Sequence, residues 1–296
     1  MSRIQEILKK AEREGGVQRT RALTPDLPGA PAAAGAGAAA PALAMPPAWA
    51  PPAREIRDEQ PAAPARHVTG TLDPRLVAAF APQSLAAEQY RSLRTRIKGA
   101  EKGRAMRAII ITSPNKGDGK SLTAANLALT MAQEFQQRVL LLDSDLRRPS
   151  LHRLFGISET PGLSDVLMGG TTLENALVEI PDHHLTVLPS GIIPLHPAEL
   201  LGSAGMRRVL DTLRTRYDRV ILDMPPIEPL ADVSIAAGMA DGILMIVRAG
   251  VTPKPAIERA LSGLDMNKVL GLVLNDAGEN GGRYGYNYGG YGYVAG

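Results

Sequence analysis

From about Asp73 onward the chain alternates short apolar runs with longer stretches whose apolar positions recur every three or four residues. Ala108–Thr112, Val139–Leu142, Leu185–Leu188, Val220–Leu222, Ile243–Val247 and Val269–Leu274 are near-continuous runs of Ile, Leu and Val, the pattern of strands covered on both faces. Between them, Lys120–Phe135, Glu199–Tyr217, Asp232–Met239 and Ala256–Leu264 carry the period of amphipathic helices. Strands separated by helices predict an α/β fold, a doubly wound and mostly parallel sheet covered on both sides.

Two stretches break the pattern before that domain and one after it. Residues 1–16 read as a short amphipathic helix with Ile4, Ile7, Leu8 and Ala11 on one face. With no domain of its own to pack on, it is either a docking helix for a partner or a frayed end without a role. Residues 17–70 read as a disordered Ala/Pro/Gly-rich linker. No residue between Pro28 and Ala53 is charged, and so little large apolar surface cannot offset the entropy of ordering the chain. The globular domain is therefore placed at 71–277, and a flexible Tyr-rich tail at 278–296.

Composition narrows the chemistry. The 296 residues include no cysteine, which excludes a disulfide scaffold, a cysteine nucleophile, an iron–sulfur cluster and a thiolate zinc site. Five histidines show no ligand spacing. Charges in the first ten residues rule out a signal peptide, and no run reaches the ~20 apolar residues of a membrane span, so a cytoplasmic location is expected. A formal net charge of +3 without a basic block among aromatics gives no reason to expect nucleic acid.

The first strand runs into Ser113-Pro-Asn-Lys-Gly-Asp-Gly-Lys-Ser121 and then a helix. This is Gly-x-x-x-x-Gly-Lys-Ser with Pro114 in the first glycine place, in the strand–loop–helix context of a phosphate-binding loop. Pro114, Asn115, Lys116, Gly117, Asp118, Gly119, Lys120, Ser121 and Leu122 form the candidate nucleotide site. The glycines let backbone amides curl around phosphate oxygens and the helix N-terminus adds its dipole. Lys120 would reach the β- and γ-phosphates, and the Ser121 hydroxyl would take Mg²⁺. As a charge contact on a loop, Lys120 should be replaceable without unfolding the chain.

Asp143 and Asp145 end the second strand and Asp223 ends another, all at the sheet edge where doubly wound folds bind ligands. Any one of them could be a helix cap; three around a nucleotide loop suit Mg²⁺, which takes one or two carboxylates with phosphate and water and leaves a spare acid as a base. The tail is the other compositional signal. Five of the seven tyrosines, Tyr284, Tyr286, Tyr288, Tyr291 and Tyr293, lie near the C-terminus among Gly and Asn. That spacing offers the rings rather than packing them; the bland alternative is a sticky low-complexity tail.

The phosphate loop, the apolar run into Asp143-x-Asp145-x-Arg147, and the apolar run into Asp223-x-Pro225 together resemble the bacterial tyrosine kinases of exopolysaccharide and capsule systems. The resemblance covers about Leu85 to the end. Pro197-Ala-Glu-Leu-Leu201 resembles that family's Asn-Pro-x-Glu-Leu-Leu element, with His196 where Asn is usual. Glu88, Arg91 and Arg94 match its Glu-x-x-Arg-x-x-Arg oligomerisation motif, although by spacing alone they read as a solvated ion-pair face. The N-terminal helix and linker look most like the exosortase-associated branch. Partition ATPases carry a further lysine at the place of Asn115; Lys116 lies one residue away.

The resemblance implies an ATP- and Mg²⁺-dependent protein-tyrosine autokinase that phosphorylates its tail tyrosines, in trans within a ring oligomer, and regulates exopolysaccharide biosynthesis or export. In that reading Ser121, Asp145 and Asp223 hold Mg²⁺ and Asp143 takes the tyrosine proton, with the roles of Asp143 and Asp145 exchangeable. Asn275, after the last strand, is a weaker candidate for reading adenine. Implied partners are an inner-membrane polysaccharide co-polymerase that activates the kinase and holds it at the membrane, and a tyrosine phosphatase. The alternatives are a non-kinase ATPase switch of the partition or cell-division type, and a scaffold that binds partners through its tail.

Overall fold

In a computed structural model that describes residues 70–277 except 102, 104, 135–136 and 228–231, every predicted apolar run is a strand. They are β1 Ala108–Thr112, β2 Val139–Asp143, β4 Leu185–Leu188, β5 Arg219–Asp223, β6 Gly242–Arg248 and β7 Val269–Asn275, with a further short β3 at Val178–Ile180. They form one sheet in the order β3-β4-β2-β5-β1-β6-β7. All neighbours are parallel except the β3–β4 pair at one edge. The fold is the doubly wound α/β sheet that the sequence predicts.

Helices cover both faces. They are α1 Val77–Phe80, α2 Leu85–Ala100, α3 Lys120–Ala132, α4 Leu151–Phe155, α5 Leu163–Leu167, α6 Leu173–Ala176, α7 Pro197–Leu201, α8 Ala204–Arg216, α9 Asp232–Ala237 and α10 Lys254–Ser262. Every residue of β1, β2 and β5 is buried, which explains why these strands read as continuous rather than alternating runs. Alternate residues of β1 enter opposite cores: Ala108 and Ile110 pack with Leu210, Leu213 and Val233, whereas Ile109 and Ile111 pack with Leu127, Met131 and Phe155.

Some boundaries differ from those predicted. The expected helix Glu199–Tyr217 is two, α7 and α8, because Ser203 caps a fresh start: its hydroxyl accepts from the Met206 amide at 3.1 Å. The helix predicted to run to Phe135 ends at Ala132. Antiparallel β3 is three residues long with one exposed position, too short for either periodicity to show. The expected N-terminal helix, the linker and the tail lie outside the described residues.

Register places the chemistry. Asp143 at the end of β2 lies opposite Asp223 at the end of β5, and Asp223 pairs with Ile111 of β1, one residue before the strand ends. The phosphate loop and both aspartate motifs therefore leave the sheet at one edge, around adjacent strands.

Candidate functional site

The loop Ser113–Gly119 turns sharply on two glycines with positive φ, Gly117 at 89° and Gly119 at 93°. A side chain at Gly117 would meet nothing within 4 Å, so only its positive φ asks for glycine there. At Gly119 a Cβ would fall 2.0 Å from the Asn275 side-chain nitrogen, so this position requires glycine on both counts. Gly119 is the N-cap of α3, whose first amides face the loop.

Asp118 organises the loop. Its Oδ2 accepts from the Asn115 amide at 2.9 Å, its Oδ1 accepts from the Thr252 hydroxyl at 2.7 Å, and its backbone carbonyl accepts from the Asn275 amide group at 3.0 Å. Thr252 follows β6 and Asn275 ends β7, so two neighbouring strand ends clamp the loop from behind. Asn115 also accepts, through its carbonyl, from Ser113 Oγ at 2.7 Å, while Pro114 is buried beneath and Lys116 is exposed. Asn275 thus shapes the phosphate loop itself.

Lys120 and Ser121 begin α3. The Lys120 ammonium lies 2.8 Å from Asp145 Oδ2 and 3.4 Å from Asp223 Oδ1, and donates to Ser121 Oγ at 3.1 Å. Burial works against its charge, but Asp223 and Asp145 outweigh burial and hold its pKa above the ordinary lysine value. Expected as a charge contact on a loop, the side chain is only 12% accessible. It is the counter-ion of the carboxylate cluster.

The three aspartates differ in their settings. Asp143 is wholly buried: its Oδ1 accepts from the Asp145 amide at 3.2 Å, and its Oδ2 accepts from the Ser150 and Leu151 amides, each at 3.0 Å. Burial and the facing Asp223 raise its pKa to about 7, against the pull of those amides and Lys120. Asp223 is also fully buried; burial lifts its pKa against Lys120 and the Ser121 hydroxyl, and its Oδ2 has no hydrogen-bond partner. Asp145 accepts from the Arg148 amide at 3.1 Å and, unlike Asp143, lines a cavity of about 950 Å³ together with Gly117, Lys120 and Ser121.

This cradle fits a Mg²⁺-nucleotide. Asp223 accepts from the Ser121 hydroxyl and keeps a second, buried carboxylate oxygen without a partner, and Gly117, Gly119, Lys120 and Ser121 line the same cavity. Among the described residues no three His, Cys, Asp or Glu side chains are grouped to hold a metal ion. A magnesium ion here would therefore share its ligands with phosphate oxygens and water.

Two further side chains hold the site in place, Arg147 from the Asp143-x-Asp145-x-Arg147 motif and Asn126, which the sequence reading did not single out. Arg147 donates to Asp232 at 2.7 and 3.2 Å, tying the β2–α4 loop to α9. Buried Asn126 of α3 accepts from the Ala78 amide at 3.0 Å and donates to the Arg75 and Leu122 carbonyls, fastening α1 against the loop helix. The run of polar residues Thr123, Asn126 and Thr130 at helical spacing in a buried helix is the one signal that would have marked it.

The Glu88, Arg91 and Arg94 stripe lies on α2, away from the loop. Arg91 pairs with Glu88 at 2.6 Å and donates to the Pro82 carbonyl, while Arg94 donates to the Thr130 carbonyl of α3 at 2.9 Å. Within one chain, then, the stripe is an ion pair plus a tie to the loop helix. Tyr284, Tyr286, Tyr288, Tyr291 and Tyr293 lie outside the described residues.

Three comparisons bear on this site. A family model described as an AAA domain matches residues 106–261. The tyrosine-protein kinase YwqD of Bacillus subtilis is 42% identical over 202 residues, covering 68% of this chain and 85% of that one. The putative tyrosine-protein kinase EpsB of Ralstonia nicotianae is 35% identical over 74% of this chain, which spans only 30% of EpsB. Among solved structures, the kinase domain of the Escherichia coli tyrosine kinase ETK superposes with a TM-score of 0.66 at 30% identity, over 71% of this chain and 82% of that one.

Proposed function

We propose, since this chain belongs to the bacterial tyrosine-protein kinase family, that it is an autokinase whose acceptors are the tyrosines of its own C-terminus. The enzyme is a protein-tyrosine kinase, with ATP as phosphoryl donor. The finer reading is transfer to Tyr284, Tyr286, Tyr288, Tyr291 and Tyr293, in trans between subunits of a ring that meet through Glu88, Arg91 and Arg94, in the control of exopolysaccharide biosynthesis or export.

One observation carries it: Lys120 sits between Asp145 and Asp223 at the mouth of an open phosphate loop, on the wall of a cavity large enough for a nucleotide and an acceptor side chain. In the proposed step the tyrosine oxygen attacks the γ-phosphorus, the bond from that phosphorus to the β–γ bridging oxygen breaks, and ADP leaves. Lys120 turns from its carboxylates to the β- and γ-phosphates, and the loop amides fix their oxygens. Bound Mg²⁺ would neutralise phosphate charge, held by Ser121 and Asp223 with Asp145 nearby.

Of the two exchangeable acids, Asp145 suits the base better. It faces the cavity and is released when Lys120 moves to phosphate, whereas both oxygens of Asp143 are engaged by backbone amides. Asp143, held near neutrality beneath the site, would position the Asp145 segment. Asn275 supports the loop rather than the adenine in this reading.

No helix of the described residues is long and apolar enough to cross a membrane. Attachment to the inner membrane would come from a polysaccharide co-polymerase that also activates the kinase, and a tyrosine phosphatase would reset the tail. The test is incubation of the purified chain with Mg-ATP followed by phosphosite mapping by mass spectrometry. Phosphate on the tail tyrosines supports the reading, and a chain that hydrolyses ATP with no phosphotyrosine overturns it.

A further inference from the structure

The cavity continues past the phosphate loop along the β2–α4 segment, where its wall carries Arg147, Arg148, Ser150, His152 and Arg153. Charges on this wall are unevenly matched. Arg147 is paired with Asp232 at 2.7 Å, and Arg75, also on the wall, with Asp73 at 2.7 Å. Arg148 and Arg153 have no carboxylate partner among the described residues; Arg153 donates only to the Pro149 carbonyl at 3.0 Å. Beside them Ser150 Oγ and His152 Nδ1 are buried polar atoms with no hydrogen-bond partner.

ATP does not require these groups, because Lys120 and the loop amides already serve its phosphates. Nor does the unmodified tail supply an answer: its one acidic side chain, Glu279, lies five residues before the first tail tyrosine, with the cation Arg283 between them. A tail already phosphorylated at one tyrosine does answer it, with about −1.5 to −2 charges and three acceptor oxygens per phosphate. The tyrosines at 284, 286 and 288 are two residues apart, so in an extended segment they project from one face at intervals of roughly 7 Å. With one ring presented to the γ-phosphate at Lys120, the next reaches along the wall.

We infer that Arg148 and Arg153 form a phosphotyrosine subsite beside the transfer centre, which binds an acceptor tail already phosphorylated at a neighbouring tyrosine and so makes modification of the cluster sequential. The inference rests on the autokinase reading for its acceptor, but the affinity it requires is measurable without turnover. Guanidinium groups suit the role because their planar donor fork matches phosphate oxygens in bidentate fashion.

The experiment is fluorescence anisotropy of a labelled peptide of residues 279–296, unmodified or phosphorylated at Tyr286, titrated with the full chain plus Mg²⁺ and a non-hydrolysable ATP analogue. The phosphopeptide should bind about tenfold more tightly. Arg148→Ala with Arg153→Ala should abolish that preference, Arg148→Lys with Arg153→Lys should restore part of it, and Arg207→Ala, an exposed cation of a different cavity, should leave it intact. Equal affinities for the two peptides overturn the subsite. So does a double alanine variant that loses the analogue itself, since the arginines would then belong to the nucleotide. A retained phosphopeptide preference in a chain that transfers no phosphate strikes the autokinase reading and leaves the subsite standing.

Discussion

Replacing Asp143 with asparagine probes the electrostatics beneath the site. Asp143 is fully buried opposite Asp223, and its pKa of about 7 stands well above the ~3.9 of an unfolded aspartate. Between those values the native chain holds a proton that the unfolded chain has released. Stability from this group is therefore complete below about pH 4, declines as pH rises, and is lost once pH passes 7. Three pH units at ~1.4 kcal/mol each make the decline about 4 kcal/mol. Asp223, also raised by burial, contributes with the same sign, whereas His152, lowered by burial, contributes with the opposite one. Subtracting the Asp143→Asn curve from that of the native sequence reads Asp143 together with its repulsion of the facing Asp223. Asparagine does not titrate, but with one carbonyl oxygen it leaves a backbone amide without its acceptor, at a cost of about 1–2 kcal/mol. The variant should be about as stable as the native sequence at pH 5, where the amide lost and the decline already incurred nearly cancel, and more stable at pH 8 by about 2–3 kcal/mol. Urea unfolding followed by circular dichroism from pH 5 to 8.5, without nucleotide, reads both. A stability difference that stays constant across this range refutes the reasoning.

Thr252→Val leaves Asp118 Oδ1 without its hydroxyl donor, and the loosened loop should bind Mg-ADP at least fivefold more weakly by calorimetry, an effect of about 1 kcal/mol or more; unchanged affinity would remove the clamp from the account. Lys120→Met should abolish radiolabel transfer and also lower the melting temperature, because two buried carboxylates lose their counter-ion. Transfer at the native rate would sink the nucleotide assignment, and an unchanged melting temperature would contradict the counter-ion role. Arg147→Ala strands Asp232, whose side chain is 1% accessible, and should cost about 2 kcal/mol in urea unfolding. For the assembly, Arg91→Ala should lower the mass seen by light scattering and slow tail phosphorylation; a dispersed variant that phosphorylates at full rate would exclude transfer within a ring.

The parallel strands were legible because burial on both faces leaves little but Ile, Leu and Val in β1, β2 and β5. The phosphate loop was legible because its residues are adjacent in sequence. What escaped was contact between distant positions. Asp118 meets Thr252 and Asn275 across separations of 134 and 157 residues, and nothing local marks those two as loop supports. Asp143 and Asp145 look equivalent in sequence, and only the fold shows one bound up by three amides and the other facing the cavity. Lys120 was read as a charge contact on a loop because a sequence shows the loop and not Asp145 and Asp223, which distant strands bring to it. Helices of four or five residues, such as α4, α5 and α6, are shorter than the window in which a period of 3.6 can be seen.

The hydrogen bond from Asn275 to the Asp118 carbonyl joins the last strand residue of the described domain to the loop that grips phosphate. A shared bond of this kind is a thermodynamic linkage and runs in both directions by the same factor. On the proposed reading, a displacement of Asn275 would weaken the loop's hold on a nucleotide, and a bound nucleotide would oppose that displacement by the same factor. Its ceiling is the worth of one such bond, about 1 kcal/mol or a factor of about five in affinity. That is too little to act as a switch, and it sets the upper bound on any coupling between Asn275 and the affinity of the loop for a nucleotide.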